Sequence, residues 1–303
     1  AQIYFWASPM VAPLLYQIND LTGVLSAPKI LHRHFINYIK SLDLDIAYVL
    51  FPTFHNALTL VRARVPRRVG SLRRWYSPLF TQSRNISRRY SSRHEVELNL
   101  QLISPDWFGI LPQPTFPRIN LPPESIAKII HILSASGYDH SARLIVIHPG
   151  SGGSARNWPP EYFRATANAL SDRLSCQIAV TGTASESSLG ELVSDNRHLN
   201  LCGKLNLLEL AALLTKADLT IANSTGPLHL AVALSRPTLG LYPPVRGCLP
   251  DRWGPYGHPE WSLKPDLPLC RRCHSGTLSA CACMEALKPD TVAERAVEIL
   301  DVN

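Results

Sequence analysis

The sequence has few charged residues, few cysteines and no long apolar run, and each shortage excludes a class of protein. Only 17% of its 303 residues are charged and 46% are hydrophobic, a balance that excludes a disordered chain or an acidic solvating tail. Seven cysteines are too sparse for a disulfide scaffold and odd in number, which favours a reducing compartment. The longest uncharged stretch, Ala1 to Asn19, is interrupted by Pro9 and Pro13, whereas a membrane span needs about 20 mostly apolar residues. The sequence therefore predicts a soluble protein with room for two domains.

Acidic residues are missing between Asp45 and Glu95, and the whole chain carries a formal net charge of +7. This interval contains the following arginines: Arg62, Arg64, Arg67, Arg68, Arg73, Arg74, Arg84, Arg88, Arg89 and Arg93. Such a run produces a strong positive field over one surface. Three interpretations stay open: a solvated loop, a nucleic-acid patch, or a patch for anionic lipid or a phosphorylated acceptor. Because RNP, zinc-finger and helix-turn-helix signatures do not accompany the run, the sequence favours an anionic, membrane-associated partner over nucleic acid.

Strands alternate with helices along the chain, which predicts an α/β protein with mostly parallel sheets. In the first half we predict strands over residues 3–6 and 46–51 and helices over 32–40 and 56–64. In the second half we predict strands over 143–148, 177–181, 218–222 and 238–242, and helices over 161–174, 187–196, 207–215, 227–234 and 291–300. Prolines crowd residues 105–123, which we interpret as a linker or domain-edge segment. The second half thus has a doubly wound, nucleotide-binding layout.

Three predicted strand ends carry residues suited to an anionic ligand, because ligands of open α/β sheets bind at the carboxyl ends of strands. The first is HPGSGGSARNWP from His148, a glycine-rich loop with Arg156 as a forked anion donor; an ordinary flexible turn is the alternative. The second is TGTASE, in which Glu186 either receives ribose hydroxyls or is a favourable charge at a helix N-terminus. The third is ANSTGPLHL, in which His229 follows the proline of a predicted helix start and is either functional or structural.

In order and spacing these segments resemble the heptosyltransferase group, glycosyltransferase family 9, of lipopolysaccharide core assembly. The matching stretches are HPGSGGSARNWPPEYF, VTGTASE, LCGKLNLLELAALLTKADLTIANSTGPLHLAVALSRPTLGLYPP and RWGPYG. The resemblance implies a GT-B fold, with two Rossmann-like domains facing a cleft and the nucleotide-sugar donor held by the C-terminal one. It also implies inverting transfer from an ADP-heptose-like donor, with no metal and no cofactor beyond that ADP-sugar substrate.

Carried over residue by residue, the resemblance implies a donor site made of Ser151, Gly152, Arg156, Glu186, Leu205, Ser224, Thr225, Gly226, Pro227 and His229. The two glycine-containing loops and Arg156 would hold the diphosphate. Glu186 would take the ribose, and Leu205 would pack near the adenine. Ser224 stands where many members of the family have aspartate, which leaves the donor sugar open.

The catalytic base of the resembled family lies outside this sequence. That family begins with a strand and a loop bearing an aspartate, whereas this chain is expected to start at the second strand, so that its N-terminal domain is incomplete. Inverting transfer needs a base within hydrogen-bond reach of the attacking hydroxyl. His55, just past a predicted strand, is the candidate substitute, and a structural loop histidine is the alternative. A catalytically inactive nucleotide-sugar-binding remnant is therefore the second functional hypothesis, and a basic nucleic-acid-binding protein is the third.

A cysteine cluster near the C-terminus combines a CxxC pair with a CxC pair, namely Cys270, Cys273, Cys281 and Cys283. Four thiolates can hold a structural zinc ion tetrahedrally. The second pair is more tightly spaced than zinc ligands usually are, so reduced thiols and a disulfide stay open beside zinc.

These observations together predict a GT-B glycosyltransferase with three parts. Residues 1–135 form the acceptor-side domain, residues 141–287 form the donor domain, and residues 288–303 form a helix that packs back on the first. The partners expected are a nucleotide-sugar donor and an anionic lipid-linked saccharide acceptor, and not nucleic acid. The expected location is the cytoplasm, with peripheral contact to the inner membrane.

Overall fold

The computed structural model describes residues 1–26, 32–88, 92–104, 115–139, 141–153, 155–270 and 282–302. The chain divides into two compact units. Unit 1 comprises Ala1–Ala12 and Leu21–Gln113, and unit 2 comprises Pro13–Asp20 and Pro114–Asn303. Within the described part of the chain, every helix is too short or too polar to cross a bilayer.

Unit 1 contains two small parallel sheets with helices between their strands. Its strands are β1 (Tyr4–Ala7), β2 (Gly23–Ser26), β3 (Ile46–Tyr48), β4 (Arg67–Ser71) and β5 (Gln82–Arg84). A short helix, α1 (Ala12–Leu15), spans the first junction between the units, and unit 1 continues with α2 (Arg33–Ser41), α3 (Phe54–Arg62) and α4 (Glu95–Ile103). β1 pairs with β2, and β3, β4 and β5 pair in that order, all parallel.

Unit 2 is built on one six-stranded parallel sheet. Its strands are β6 (Arg143–His148), β7 (Cys176–Val180), β8 (Leu199–Asn200), β9 (Leu219–Asn223), β10 (Thr238–Leu241) and β11 (Ser262–Leu263). Its helices are α5 (Pro123–Ala135), α6 (Pro160–Arg173), α7 (Ser187–Ser194), α8 (Leu207–Lys216), α9 (Gly226–Ala233), α10 (Pro250–Trp253) and α11 (Pro289–Val302). The strand order is β11-β10-β9-β6-β7-β8, so the chain first builds outward from β6 in one direction and then in the other.

Both faces of this sheet are buried, because the residues of β6 alternate between two apolar clusters. Ile145 and Ile147 pack in the cluster that includes Phe163 of α6. Leu144 and Val146 point the other way, into the cluster that includes Ile129 of α5. A central strand covered on both sides reads as a continuous apolar run, which is why the sequence RLIVIH predicts β6 so clearly.

The division into units differs from the predicted domains at two places. Residues 123–135 were assigned to the first domain, but they form α5, which packs against α8 in unit 2, where Ile129 and Leu133 are buried. α11 was expected to pack on the N-terminal domain, but in the structure it packs against α6, with Ala293 and Ala296 fully buried. In both helices the apolar face matches a cluster of the six-stranded sheet, and local sequence does not indicate which sheet a helix will cover.

The predicted strands and helices of the second half are all present, with ends shifted by a few residues at most. Strands β2, β4, β5, β8 and β11 were missed because they are short, and because β4 has the sequence RRVGS, which lacks an apolar run. The proline-rich segment is only partly a linker. Residues 105–114 lie outside the described residues, Ile119 forms an antiparallel bridge with Ile18, and Pro123 is the first residue of α5.

Candidate functional site

The carboxyl edge of the six-stranded sheet contains the point at which the strand order reverses. β6 pairs with β7 on one side and with β9 on the other, so the connections that leave β6 and β9 diverge and open a crevice between them. The loop after His148 and the loop after Asn223 border this crevice directly. All three strand ends that the sequence singled out therefore lie along one edge.

Asn223, the last residue of β9, ties the two loops together. Its side chain is fully buried, and its Nδ2 donates to the carbonyl of Pro149 over 2.7 Å. Its Oδ1 accepts from the backbone N–H of Trp158 over 3.0 Å. One amide group thus satisfies a buried acceptor at the start of the glycine-rich loop and a buried donor at its end. This fixes the loop relative to β9.

The glycine-rich loop makes a tight turn that only glycine adopts without strain. Gly152 and Gly153 have φ angles of +52° and +81°, and among the described residues, apart from their chain neighbours, no atom lies within 4 Å of a Cβ placed at either position. The hydroxyl of Ser151 accepts from Gly153 N–H over 3.3 Å, which closes the turn. The backbone here is open to an approaching ligand.

Glu186 joins the second strand-end loop to the first. Its carboxylate accepts from the backbone N–H and from the hydroxyl of Thr183, over 2.8 and 2.9 Å, and from the backbone N–H of Gly152. Burial by itself raises the pKa of this carboxyl group, but the hydrogen bonds from Thr183, the nearby His148 and the bond from Gly152 outweigh it and lower the pKa. Glu186 is therefore an ionised group that stabilises both loops, as the helix-N-terminus interpretation predicts. Its predicted contact with ribose stays a prediction.

The space for that carboxylate exists because residue 150 is glycine. A Cβ at Gly150 would lie 2.0 Å from Oε1 of Glu186. Beneath the loop, the Nδ1 atom of His148 lies 3.0 Å from the hydroxyl of Thr181. Burial lowers the pKa of His148 to about 4, although the charge of Glu186 acts in the opposite direction. His148 is thus a neutral support of the loop at physiological pH.

The third strand-end loop leads into α9, whose N-terminus has no side-chain cap. Thr225 occupies the N-cap position, but its side chain makes no capping hydrogen bond. Its hydroxyl is buried and has no hydrogen-bond partner among the described residues. Gly226 begins the helix, and in the part of the chain that the structure describes no atom outside its own helix and chain neighbours lies within 4 Å of a Cβ placed there; Pro227 follows. A helix start of this kind offers unsatisfied N–H groups and a positive dipole end to an anion, and Ser224 is half-buried beside it.

Cationic and aromatic side chains line the same edge. The ring of His229 lies 6.1 Å from the ring of Trp253, centroid to centroid, and the guanidinium of Arg252 lies 4.9 Å from that indole ring. Burial raises the pKa of the Cys248 thiol, while the positive charges of Arg156 and Arg252 act to lower it. Both arginines therefore lie near Cys248.

Leu205 follows β8 at the far end of the edge, where it packs half-buried against the α5–α8 cluster. The preceding loop is tightly packed. The thiol of Cys202 would lie 2.4 Å from a Cβ at Gly190, and Gly203 has a φ angle of +72°. This supports Leu205 on a rigid loop, and its predicted contact with adenine stays a prediction.

The remaining candidates lie elsewhere. His55 is in the first turn of α3 in unit 1, after the N-cap residue Thr53, whose hydroxyl accepts from Asn56 N–H over 3.0 Å. Of the cysteine cluster, Cys273 and Cys281 lie outside the described residues, so the zinc hypothesis stays open. The residues that the structure describes contain no group of histidine, cysteine, aspartate and glutamate side chains able to hold a metal ion.

The arginine run is not one uniform surface. Arg88 forms an ion pair with Glu95 over 2.6 Å and also donates to Asn99, and Arg68 donates to the carbonyl of Leu79 over 2.9 Å. These two arginines are structural, whereas Arg73 and Arg74 are exposed.

Sequence reasoning missed Asn223 and Trp253 as site residues. Asn223 is the last residue of a buried strand and precedes the STGP segment, and an amide side chain at the end of a buried strand is the signal that could have revealed it. Trp253 lies in the stretch RWGPYG that carries the family resemblance, but only the tertiary fold brings its ring to His229.

Comparison with known proteins gives a consistent result. The model of the family described as glycosyltransferase family 9 (heptosyltransferase) matches residues 32–267. A provisionally described glycosyltransferase of Haemophilus influenzae is 27% identical over 235 residues, which are 74% of this chain and 67% of that protein. The lipooligosaccharide heptosyltransferase 2 of Campylobacter jejuni is 28% identical over 167 residues, which are 52% of this chain and 51% of that protein. The chain thus spans about two thirds of the first relative and about half of the second.

Among solved structures, the ADP-heptose lipopolysaccharide heptosyltransferase II of E. coli superposes with a TM-score of 0.78. The superposition covers 100% of this chain and 90% of that one, at 22% sequence identity. At this identity the likeness concerns the fold, and it confirms the predicted α/β, GT-B class.

Proposed function

Because the chain belongs to glycosyltransferase family 9, we propose that it is an inverting, metal-independent transferase. In this proposal a heptose-like sugar moves from an ADP-sugar to a lipopolysaccharide core or a related glycan acceptor. The donor is held at the carboxyl edge of the six-stranded sheet, and the acceptor is lipid-linked and anionic. The location proposed is the cytoplasm, at the membrane surface.

The observation that carries the proposal is the uncapped start of α9. The buried hydroxyl of Thr225 has no partner among the described residues, and Gly226 leaves the helix N-terminus open. An open helix start offers its backbone N–H groups and the positive end of its dipole to an anionic ligand, and the hydroxyl of Thr225 lies beside them. Asn223 holds this helix start beside the glycine-rich loop, which supports a ligand with two phosphate groups.

Metal independence is supported by the positive charge that the chain itself provides. Breaking the bond between the sugar and the diphosphate places additional negative charge on the leaving phosphate. The dipole of α9, the guanidinium of Arg156 and the open backbone of Gly152 and Gly153 offer stabilisation at that position. The attacking hydroxyl of the acceptor needs a base, and His55 is the candidate within this chain.

The test is to measure donor binding and transfer separately. Bound ADP at about 100 times its Kd should stabilise the fold by roughly 2.7 kcal/mol, which should raise the melting temperature by several degrees, whereas UDP and GDP should raise it less. Arg156→Ala should weaken ADP binding roughly 10- to 100-fold, because it removes a charge-assisted hydrogen bond. Arg173→Ala is the matched control, since Arg173 is exposed in the last turn of α6.

Transfer is then assayed with a phosphorylated core saccharide and an ADP-sugar, with and without a chelator. Turnover unaffected by the chelator would support metal independence. ADP binding without transfer would identify a nucleotide-sugar-binding protein instead of an enzyme. A melting curve that saturating ADP leaves unmoved would refute the donor site.

A further inference from the structure

Unit 1 exposes a group of large apolar side chains on two neighbouring loops. Phe51 and Trp75 are both 79% exposed, Leu72 is 52% exposed and Phe54 is 41% exposed. Single exposed apolar residues are normal, but contiguous ones mark interaction surfaces. With Arg73 and Arg74, which lie between Leu72 and Trp75, we call these residues the aromatic–arginine patch.

The patch is held by its own scaffold. The rings of Phe54 and Trp75 stack, with centroids 4.9 Å apart and planes 25° apart. Under them, the hydroxyl of Tyr76 donates to the carbonyl of Pro52 over 2.5 Å, which ties the loop after β3 to the loop after β4.

The loop after β4 is also fixed internally. The buried hydroxyl of Ser77 donates to the carbonyl of Leu72 over 2.8 Å and accepts from the N–H of Arg74 over 3.3 Å. The apolar side chains therefore stay in water because the backbone holds them there. A solvated loop without a partner would not need such hydrogen bonds to keep apolar side chains exposed.

The segment of sequence that contains the patch carries charge of one sign. Both arginines are exposed, and Arg73 uses its Nε to bond Asn85, which leaves its terminal nitrogens available. No acidic residue occurs between Asp45 and Glu95, and Glu95 is already paired with Arg88. A partner that covers this patch must therefore offer apolar contact and negative charge together.

We propose that the aromatic–arginine patch docks unit 1 on an anionic lipid bilayer. Trp75 and Phe51 would enter the interfacial region, where aromatic side chains are favoured, and Arg73 and Arg74 would pair with anionic head groups. The proposal rests on the proposed function for its purpose, because a lipid-linked acceptor is presented at such a surface. What is new is the specific face of unit 1 that binds the bilayer.

Unit 1 contains its own comparison surface. Arg62 ends α3 and Arg67 begins β4, and both are exposed. They therefore lie at the amino edge of the three-stranded sheet, whereas the patch follows the carboxyl ends of its strands. If positive charge alone attracted the membrane, these two arginines would contribute as much as Arg73 and Arg74.

The test measures partition of the full chain onto vesicles of phosphatidylcholine with and without phosphatidylglycerol. Each arginine at the surface is worth about a factor of five, so the double variant Arg73→Gln/Arg74→Gln should bind anionic vesicles about 25-fold more weakly. Arg62→Gln/Arg67→Gln should stay close to the wild type.

The aromatic part of the patch has a separate readout. Trp75→Ala should weaken binding by about tenfold, even at about 1 M salt, where the Debye length is only about 3 Å. Tyr38→Ala is its control, because Tyr38 is 51% exposed on α2 of the same unit. Brominated lipid should quench tryptophan fluorescence of the wild type and not of Trp75→Ala.

Equal losses in the two arginine double variants, or unchanged partition of Trp75→Ala, would overturn the proposal. So would tighter binding to a single-stranded oligonucleotide than to anionic vesicles at matched salt, since stacked aromatics beside arginines also suit nucleic acid. Transfer to a water-soluble acceptor should be unchanged in Arg62→Gln/Arg67→Gln and in Tyr38→Ala. A chain that partitions as expected but transfers no sugar would refute the proposed function and leave the docking surface standing.

Discussion

Asn223→Ala should damage both the stability and the donor site of unit 2. The amide satisfies the carbonyl of Pro149 and the N–H of Trp158 in a fully buried position. Alanine leaves both backbone groups without this partner and removes two hydrogen bonds that join the end of β9 to the glycine-rich loop. We therefore expect a less stable unit 2 whose loop is no longer held in its binding conformation.

The magnitude follows from the number of groups left unsatisfied. Each buried donor or acceptor without a partner costs about 1–3 kcal/mol, so the two together should lower the free energy of unfolding by about 2–6 kcal/mol. For a unit of this size, 1 kcal/mol shifts the melting temperature by roughly 2–4 °C. The expected fall in melting temperature is therefore on the order of 5–15 °C, with ADP affinity reduced at least tenfold.

Differential scanning calorimetry with and without ADP measures both effects. Asn168→Ala is the matched control: its Oδ1 lies 2.9 Å from Nε2 of His198, but both residues are half-buried on the surface of unit 2. Water can replace that bond, so the control should lose less than about 1 kcal/mol. A melting temperature of Asn223→Ala within about two degrees of the control would refute the inference that Asn223 holds the two loops together.

Two further predictions concern the same loops. Gly150→Ala should lower the free energy of unfolding by about 1–3 kcal/mol, because the new methyl group would lie 2.0 Å from the carboxylate of Glu186. Gly247→Ala is the control, since among the described residues, apart from its chain neighbours, no atom lies within 4 Å of a Cβ there. Equal melting temperatures of the two variants would contradict the close approach at Gly150. His148 should make the fold acid-sensitive: its folded pKa of about 4 lies below an unfolded value of about 6.5, so below that value the unfolded chain binds a proton that the folded chain refuses. As the pH falls between these two values, the free energy of unfolding should decrease by up to about 3 kcal/mol. Urea titrations should show this decrease in the wild type and not in His148→Gln. An NMR titration of His148 with a midpoint near 6.5 would refute this prediction.

The predictable part of the structure is the part governed by local pattern. Local sequence predicts the backbone conformation at three places: the apolar runs of β6 and β9, the glycines of residues 150–153, and the segment STGP. The structure has strands, a left-handed turn and a helix start there. The parallel order and the shared carboxyl edge follow from the alternation of strands and helices.

The domain boundary was not predictable in the same way. α5 and α11 each have an apolar face that is compatible with either unit, and only packing against α8 and α6 assigns them to unit 2. The strand β4 was hidden because its arginines resemble a solvated loop, whereas Arg68 bonds the carbonyl of Leu79.

By itself the sequence determined the fold class, the family resemblance and the three loops that border the crevice, because each depends on residues close together in the chain. Only the tertiary structure decided that Asn223 joins two of those loops, that Glu186 accepts a hydrogen bond from Gly152, and that Phe54 stacks on Trp75. These contacts join residues far apart in sequence, and their energies depend on burial and geometry, which no local pattern records.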